Sequence, residues 1–300
     1  MTQETPLDLD SLNREYSPSS CVDDINIYIQ QYIELSHKAK TLAKSQNRLL
    51  SDLHYGKSKT QSIDLYLPTG APQKKLMVYI HGGYWQELSK EESSFAATNF
   101  QQQGFHFAVI DYTLAPDASI TGIVEENRQA IAWLYKQASS YGYDPEQIYL
   151  CGSSAGAHLA LMMLQTNWSQ YTADYQSNII KGVCAVSGIY DLQPLLPTYV
   201  NEALKMDSVE AQTNSPLLLS LPKVRPIIIA LGQNETSEFK RQSQVMTEKL
   251  RAHGFEVQYR EIDDRNHFDV IVDLSKKSSW LFQQTISLMD SAEPVQPNAA

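Results

Sequence analysis

Cysteine is scarce in this sequence, which has only Cys21, Cys151 and Cys184 among 300 residues and no CxxC pair. So few thiols at such wide spacing predict neither a disulfide framework nor a thiolate zinc site. Long apolar runs are also missing, because no stretch approaches the roughly 18 residues that a membrane span requires. The start, MTQETPLDLD, lacks the basic and apolar parts of a signal peptide. These absences favour a cytoplasmic chain with reduced cysteines.

Positively charged residues are also fewer than negatively charged ones. Lys and Arg together number 24 against 34 Asp and Glu, so the net charge is −10. An acidic chain repels phosphate backbones and anionic membrane surfaces. We therefore expect a small-molecule substrate, with no nucleic acid and no membrane as partner, and the sequence leaves a homodimer open. Hydrophobic residues at 42% and charged residues at 19% are typical of an ordinary globular protein.

Short apolar segments alternate with stretches of helical period along most of the chain. The apolar segments are residues 48–56, SIDLYLP, LMVYI, FHFAVIDY, QIYLCG, IIKGVCAVSG, RPIIIALG and EVQYREID, and the helical stretches are residues 89–103, 120–140, 155–166 and 236–253. Nearly continuous apolar strands are typical of a parallel sheet buried on both faces. The first two segments are joined by too few residues for a crossover helix, which indicates an antiparallel edge. The sequence therefore predicts an α/β fold, with a mostly parallel eight-stranded sheet and helices on both faces.

The chain shows no internal repeat that would divide it. Apolar residues at helical spacing, with Ser20 and Asp23 as a capping box, predict an amphipathic helix over residues 22–46. We expect one domain over residues 1–290, with an N-terminal helical segment at 1–46 and a small cap region at 190–222. The final stretch, SAEPVQPNAA at 291–300, is expected to be a disordered tail.

A GxSxG pentapeptide follows the predicted strand QIYLC and precedes the helical run AHLALMMLQ. In a nucleophile elbow the chain turns so sharply that small residues must flank the serine, which raises its hydroxyl above the sheet at a helix N-terminus. Gly152 and Gly156 meet that need on either side of Ser154. A serine-rich loop is the alternative, but the strand before and the helix after favour the elbow.

The segment His81-Gly82-Gly83-Tyr84-Trp85 follows the predicted strand LMVYI. A glycine pair lets the backbone point N–H groups at a developing negative charge, as an oxyanion hole requires. We expect the N–H groups of Gly83 and Tyr84, with that of Ala155 after the serine, to form this hole. A tight turn with a buried tryptophan is the alternative.

A nucleophilic serine needs a base and an acid that orients the base. In this strand and helix order the base follows the last strand, which favours His267 among the seven histidines. The acid is expected after the strand before it, where Glu235 is the first carboxylate. The rival acids are Asp191, Asp263, Asp264 and Glu238.

Three further residues near these motifs are candidates for binding substrate. Trp85 and Tyr190 would suit an aryl group, although aromatic residues are more often core. His158 follows Ser154 by one helical turn, where it would border the pocket or pack beneath the elbow.

Several segments together resemble the kynurenine formamidase (arylformamidase) family of α/β hydrolases. They are IDLYLP, HGGYW, DYTLAP, AIAWLY, GSSAGAHLA, SGIYDL, NSP and ETSEFKRQS, and they span most of the chain. The resemblance implies that Ser154 is the nucleophile and His267 the general base, and that Glu235 occupies the position where many members carry Asp. It implies neither a metal nor an organic cofactor.

The resemblance favours a serine hydrolase that cleaves a small aryl formamide, such as the N-formylkynurenine of tryptophan catabolism. A carboxylesterase or carbamate hydrolase with the same triad is the alternative. A binding protein that has the hydrolase fold but no activity is a more remote one, because fold alone does not fix function.

Overall fold

The computed structural model describes residues 8–172, 179–221 and 225–291. Within them lies an eight-stranded sheet with strand order β1-β2-β4-β3-β5-β6-β7-β8. The strands are β1 (Leu49–His54), β2 (Ser62–Tyr66), β3 (Leu76–Ile80), β4 (His106–Ile110), β5 (Ile148–Ser153), β6 (Ile180–Val186), β7 (Ile227–Asn234) and β8 (Val257–Asn266). Strand β2 runs antiparallel to both β1 and β4, and the pairs from β4 through β3 to β8 are parallel. The predicted mostly parallel sheet with an antiparallel edge is confirmed.

Helices cover both faces of the sheet. They are α1 (Leu9–Glu15), α2 (Asn26–Ser45), α3 (Ala97–Gln102), α4 (Ile120–Tyr141), α5 (Ala155–Leu164), α6 (Asn201–Leu204), α7 (Ser208–Thr213), α8 (Ser237–Ala252) and α9 (Trp280–Ser291). Successive side chains of a strand point to opposite faces. In β3, Val78 and Ile80 therefore join a core with α4, α5 and α8, whereas Met77 and Tyr79 join a second core with α2, α3 and α9.

The N-terminal segment differs from the prediction in its details. Ser20 lies in a separate 3₁₀ turn, Pro18–Cys21, and α2 begins only at Asn26. Extended backbone at Val22, φ −138°, separates that turn from the helix, so the predicted capping box of Ser20 and Asp23 is wrong. The Asp24 carboxylate instead accepts a hydrogen bond from the Asn26 N–H at 2.9 Å.

Two other segments are less regular than the sequence suggested. Residues 89–103, predicted as one helical stretch, form a 3₁₀ turn, Lys90–Glu92, and the short helix α3. Residues 190–221 form a 3₁₀ turn, Gln193–Leu195, and the short helices α6 and α7. The tail predicted at 291–300 lies beyond Ser291 outside the described residues, as does Pro222. Each helix in the described part of the chain is too short or too polar to span a lipid bilayer.

Candidate active site

Ser154 occupies the turn between β5 and α5. Its backbone has φ 56° and ψ −120°, a conformation that non-glycine residues rarely adopt. Both neighbouring glycines are required for space: a Cβ at Gly152 would overlap the Gly156 carbonyl, and one at Gly156 would overlap the Ile80 carbonyl. The strand, turn and helix predicted around Ser154 are therefore present, and close packing explains the glycines.

The candidate acid and the candidate base lie at the ends of two adjacent strands. Glu235 follows β7 and His267 follows β8, and the last residues of these strands, Asn234 and Asn266, are paired in register. The His267 Nδ1 lies 2.8 Å from the Glu235 Oε2. Both side chains are buried, with the Glu235 side chain 0% exposed. The register of two parallel strands thus brings together residues that are 32 positions apart.

The second oxygen of Glu235 is also fully engaged. Its Oε1 accepts hydrogen bonds from the Ser187 hydroxyl at 2.6 Å and from the Gly232 N–H at 2.5 Å. Ser187 follows β6, is fully buried and has φ 52°. No role for Ser187 was predicted from the sequence, although its place after a buried strand in the segment SGIYDL parallels that of Ser154 after β5.

None of the rival acids contacts the imidazole in the structure: Asp263 and Asp264 are exposed in β8, and the other two have partners of their own. Glu238 pairs with Arg241 at 2.8 Å and accepts a hydrogen bond from the Tyr16 hydroxyl at 2.7 Å. The Asp191 carboxylate accepts from the Gln193 N–H at 3.0 Å. Among the candidate acids, Glu235 is the one whose carboxylate contacts the His267 imidazole.

The glycine-rich loop after β3 runs beside the elbow. A Cβ at Gly82 would come within 2.8 Å of the Ser153 carbonyl oxygen and 3.3 Å of the Ser154 Cβ. Gly83 has φ 93° and Tyr84 φ 51°, so the backbone turns in the left-handed region at both. Within the described chain neither of their N–H groups donates to another protein group. Ala155 opens α5, and the N–H groups of a first helical turn have no partner within the helix.

His81 contacts this loop on the side that faces away from the cavity. Its Nδ1 lies 2.9 Å from the Gly82 carbonyl oxygen and its Nε2 lies 3.5 Å from an Asp111 carboxylate oxygen. The ring stacks on Tyr112 with centroids 4.1 Å apart, and the Tyr112 hydroxyl donates to the His81 carbonyl. The loop is therefore fixed on the side facing away from the cavity.

A cavity of about 280 Å³ opens above Ser154 and His267. Its walls come from α2 and the turn before it, from the glycine-rich loop, from the segment around α6 and from the segment after β8. They are mainly apolar and aromatic, with Ile25, Ile29, Tyr32, Tyr79, Tyr84, Phe95, Tyr199, Val200, Phe268 and Ile271 among the lining residues. Gly83, Ser154 and His267 all line the cavity, so the candidate nucleophile, the candidate base and the glycine-rich loop face one space.

The three residues proposed to bind substrate are not part of this wall. Trp85, His158 and Tyr190 are each 0% exposed and are absent from the cavity lining, so this prediction is corrected. Trp85 packs edge-on against His158, with ring centroids 5.0 Å apart, and the His158 Nε2 lies 2.6 Å from the Asn214 carbonyl oxygen. Burial lowers the pKa of His158 to about 4. All three rings are therefore buried in the core, which is the alternative that the sequence left open for each of them.

The described residues contain no group of three or more His, Cys, Asp or Glu side chains that could hold a metal ion.

An α/β hydrolase is defined by this combination of a mostly parallel sheet, a serine on an elbow and a histidine with its carboxylate at the same edge. Solved structures have the same fold. A putative thioesterase from Silicibacter sp. TM1040 superposes with a TM-score of 0.80 at 26% identity, covering 93% of this chain and 99% of that one. The carboxylesterase EstE1 from a metagenomic library superposes with a TM-score of 0.67 at 18% identity, covering 87% and 97%.

Sequence comparison identifies the family within the α/β hydrolases. The BD-FAE family matches residues 63–250. The kynurenine formamidase of Danio rerio is 38% identical over 93% of this chain and 96% of its own length, and that of Salmo salar is 36% identical over 96% and 99%. The chain therefore belongs to the BD-FAE family and to the kynurenine formamidase family, and it is a hydrolase.

Proposed function

We propose that this protein is a serine hydrolase that converts a small aryl formamide, such as N-formylkynurenine, into the free amine and formate. The observation that carries the proposal is the pairing of His267 with Glu235 at 2.8 Å beside Ser154 in one cavity, in a chain of the kynurenine formamidase family. The aromatic and aliphatic walls of the cavity suit an aryl ring, since such rings gain from apolar and edge-to-face contacts.

The arrangement supports a two-step acyl transfer. His267 takes the proton of the Ser154 hydroxyl as its oxygen attacks the formyl carbon, and Glu235 keeps the imidazole oriented. The N–H groups of Gly83, Tyr84 and Ala155 would hold the negative oxygen of the tetrahedral intermediate, each typically contributing about 3 kcal/mol. His267 then protonates the leaving nitrogen as the C–N bond breaks. In the second step His267 activates a water, which attacks the formyl-serine and releases formate.

Ester hydrolysis by the same residues is the second candidate. Its support is that an isoprenylcysteine alpha-carbonyl methylesterase of Arabidopsis thaliana is 25% identical over 80% of this chain. The chemistry differs only in the leaving group, which would be an alcohol in place of an amine.

Covalent labelling tests the assigned nucleophile independently of the substrate. A phosphonofluoridate should attach once per chain, and mass spectrometry of the digested protein should place it on the peptide that contains Ser154. The Ser154→Ala variant should neither be labelled nor hydrolyse nitrophenyl acetate. The neighbouring variant Ser153→Ala is the matched control and should remain labelled. Labelling at another residue, or hydrolysis by Ser154→Ala at the wild-type rate, would refute the assignment.

A further inference from the structure

Helix α2 holds the residues on both sides of His267. Asn266 donates a hydrogen bond from its Nδ2 to the Tyr28 hydroxyl at 2.8 Å. Tyr32 donates from its hydroxyl to the Phe268 carbonyl oxygen at 2.5 Å. The two tyrosines are four positions apart and therefore lie on the same face of the helix, one turn apart. The same face also packs a ring against the loop, because Tyr28 stacks on Phe268 with centroids 5.6 Å apart.

These contacts act on the turn that carries the imidazole. The Asn266 Oδ1 accepts hydrogen bonds from the N–H groups of Phe268 at 2.9 Å and Asp269 at 3.1 Å, which bends the chain around His267. Tyr28 engages the nitrogen of that same amide. The hydroxyl of Tyr28 therefore fixes the side chain that shapes the turn, and the hydroxyl of Tyr32 fixes the backbone just beyond it.

The helix itself is anchored to the rest of the fold. The Ser36 hydroxyl oxygen accepts from the Ser94 N–H at 3.0 Å, and both residues are fully buried. Lys40 forms an ion pair with the buried Asp64 of β2 at 2.8 Å. Burial raises the pKa of Tyr32 well above its usual range, so its hydroxyl remains a donor at any ordinary pH. The face of α2 that contacts the loop after β8 therefore belongs to a helix that is anchored to the sheet.

The contact with Glu235 does not by itself fix the position of the His267 imidazole. It holds the Nδ1, but the reach of the opposite nitrogen toward Ser154 depends on where the backbone of the loop lies. Small errors are costly, since a displacement of about 1 Å can lower a rate about 100-fold. Phe239 packs edge-on against the ring at 4.5 Å and leaves the position of the loop to other contacts.

We propose that Tyr28 and Tyr32 are positioning residues for His267, so that the N-terminal helix sets the distance between the base and the nucleophile. This inference rests on the proposed roles of Ser154 and His267. It assigns a part in the reaction to a helix that precedes the whole sheet in the chain.

The test replaces each tyrosine by phenylalanine, singly and together, which removes the hydroxyl and keeps the ring. Tyr143→Phe is the matched control, because the buried Tyr143 hydroxyl also donates to a carbonyl oxygen, that of Leu134 at 2.6 Å. Tyr143 precedes β5, at the amino ends of the parallel strands and on the opposite edge of the sheet from Ser154. Each variant is measured for thermal stability, for kcat and KM with nitrophenyl acetate, and for the rate at which a phosphonofluoridate labels Ser154.

We expect kcat of Tyr32→Phe to fall about tenfold and that of the double variant further, with KM within about twofold of wild type. The labelling rate should fall in parallel, because it needs the same proton transfer from Ser154. Tyr143→Phe should lose similar thermal stability and keep kcat. Equal kcat losses in the Tyr32 and Tyr143 variants, or a rise in KM alone, would overturn the proposal. Ser154→Ala, assayed alongside, tests the proposed function separately, because the loss of activity expected in that variant does not depend on the contacts of α2.

Discussion

The Glu235 carboxylate accepts hydrogen bonds from three donors, which lie at the ends of three neighbouring strands. Gly232 belongs to β7, Ser187 follows β6 and His267 follows β8. A buried carboxylate needs its oxygens satisfied, because an unpaired charge away from water is costly. The longer glutamate side chain is thus fixed at one oxygen by Ser187 and Gly232, and its other oxygen is left for the imidazole. This arrangement lets a glutamate side chain contact the imidazole while its other oxygen stays fully paired.

Removal of the Ser187 hydroxyl should therefore weaken the orientation of the base. In Ser187→Ala the Glu235 Oε1 keeps only the Gly232 N–H, and we expect kcat/KM to fall about tenfold, which corresponds to about 1.4 kcal/mol. Ser215→Ala is the control, since the buried Ser215 hydroxyl donates to the Ala211 carbonyl at 2.6 Å away from the cavity. Steady-state kinetics and thermal melting of both variants decide the matter. Equal activities in the two variants would contradict the role given to Ser187.

The close packing of the elbow glycines leads to a second prediction. In Gly156→Ala the new methyl group would meet the Ile80 carbonyl, which belongs to the backbone of β3 and cannot move aside. We expect the free energy of unfolding to fall by at least about 2 kcal/mol, with loss of activity. Gly122→Ala is the control in α4, where the nearest atoms lie 3.8 Å from the new Cβ. It should be neutral or gain about 0.5–1 kcal/mol. Urea unfolding would contradict the account if both variants kept wild-type stability.

The N-terminal segment closes one side of the cavity. The Thr236 hydroxyl donates to the Glu15 carbonyl at 2.6 Å, and the Tyr84 hydroxyl donates to the Tyr16 carbonyl at 2.5 Å. Tyr199, near α6, donates its N–H to the Asn13 side chain at 3.1 Å. The segment that contains α1 is thereby tied to α8, to the glycine-rich loop and to the chain beside α6, and Pro18 and Ser19 become part of the cavity wall.

A cavity enclosed in this way should accept small acyl groups. We expect kcat/KM for nitrophenyl esters to be highest for acetate and to fall steadily through butyrate to octanoate, because about 280 Å³ must also hold the leaving group. A variant without residues 1–21 should lose this preference while keeping some acetate hydrolysis. A preference of the wild-type enzyme for octanoate would refute the small acyl site.

The strands and the proximity of Glu235 to His267 were predictable from the sequence, for an identifiable reason. Most of the parallel strands are continuous apolar runs, and Ser154 and Glu235 come at the ends of two of them, whereas His267 follows the more polar β8 and was predicted from its place after the last strand. Side chains away from the strand ends were not predictable. Tyr84 and its neighbour Trp85 belong to the same turn, where both have positive φ, yet only Tyr84 lines the cavity, and sequence spacing does not show which of the two does. Ser187 and the tyrosines of α2 act through contacts that sequence spacing does not reveal.

For the whole molecule, a buried neutral histidine links stability to pH. The pKa of His158 is about 4 in the folded chain, against 6.5 as its ordinary value, because burial disfavours the charged ring. Between these values the unfolded chain binds the proton and the folded chain does not. Stability is therefore lost as the pH falls below 6.5, by about 2 kcal/mol between pH 7 and pH 5.

Replacement of His158 by glutamine should remove this contribution and keep a donor for the Asn214 carbonyl. We expect the decrease in unfolding free energy between pH 7 and pH 5 to be about 2 kcal/mol smaller in His158→Gln than in wild type. Urea unfolding at the two pH values measures both decreases, and other titrating groups cancel in the comparison. Identical decreases in the two proteins would contradict a neutral, buried His158.

The two candidate functions differ in the bond that is cleaved. Steady-state hydrolysis of N-formylkynurenine beside nitrophenyl acetate, with wild type and Ser154→Ala, distinguishes them. We expect a kcat/KM for the formamide well above that for the activated ester, with both activities lost in Ser154→Ala. Hydrolysis of the ester without hydrolysis of the formamide would contradict the formamidase assignment and would favour the esterase instead.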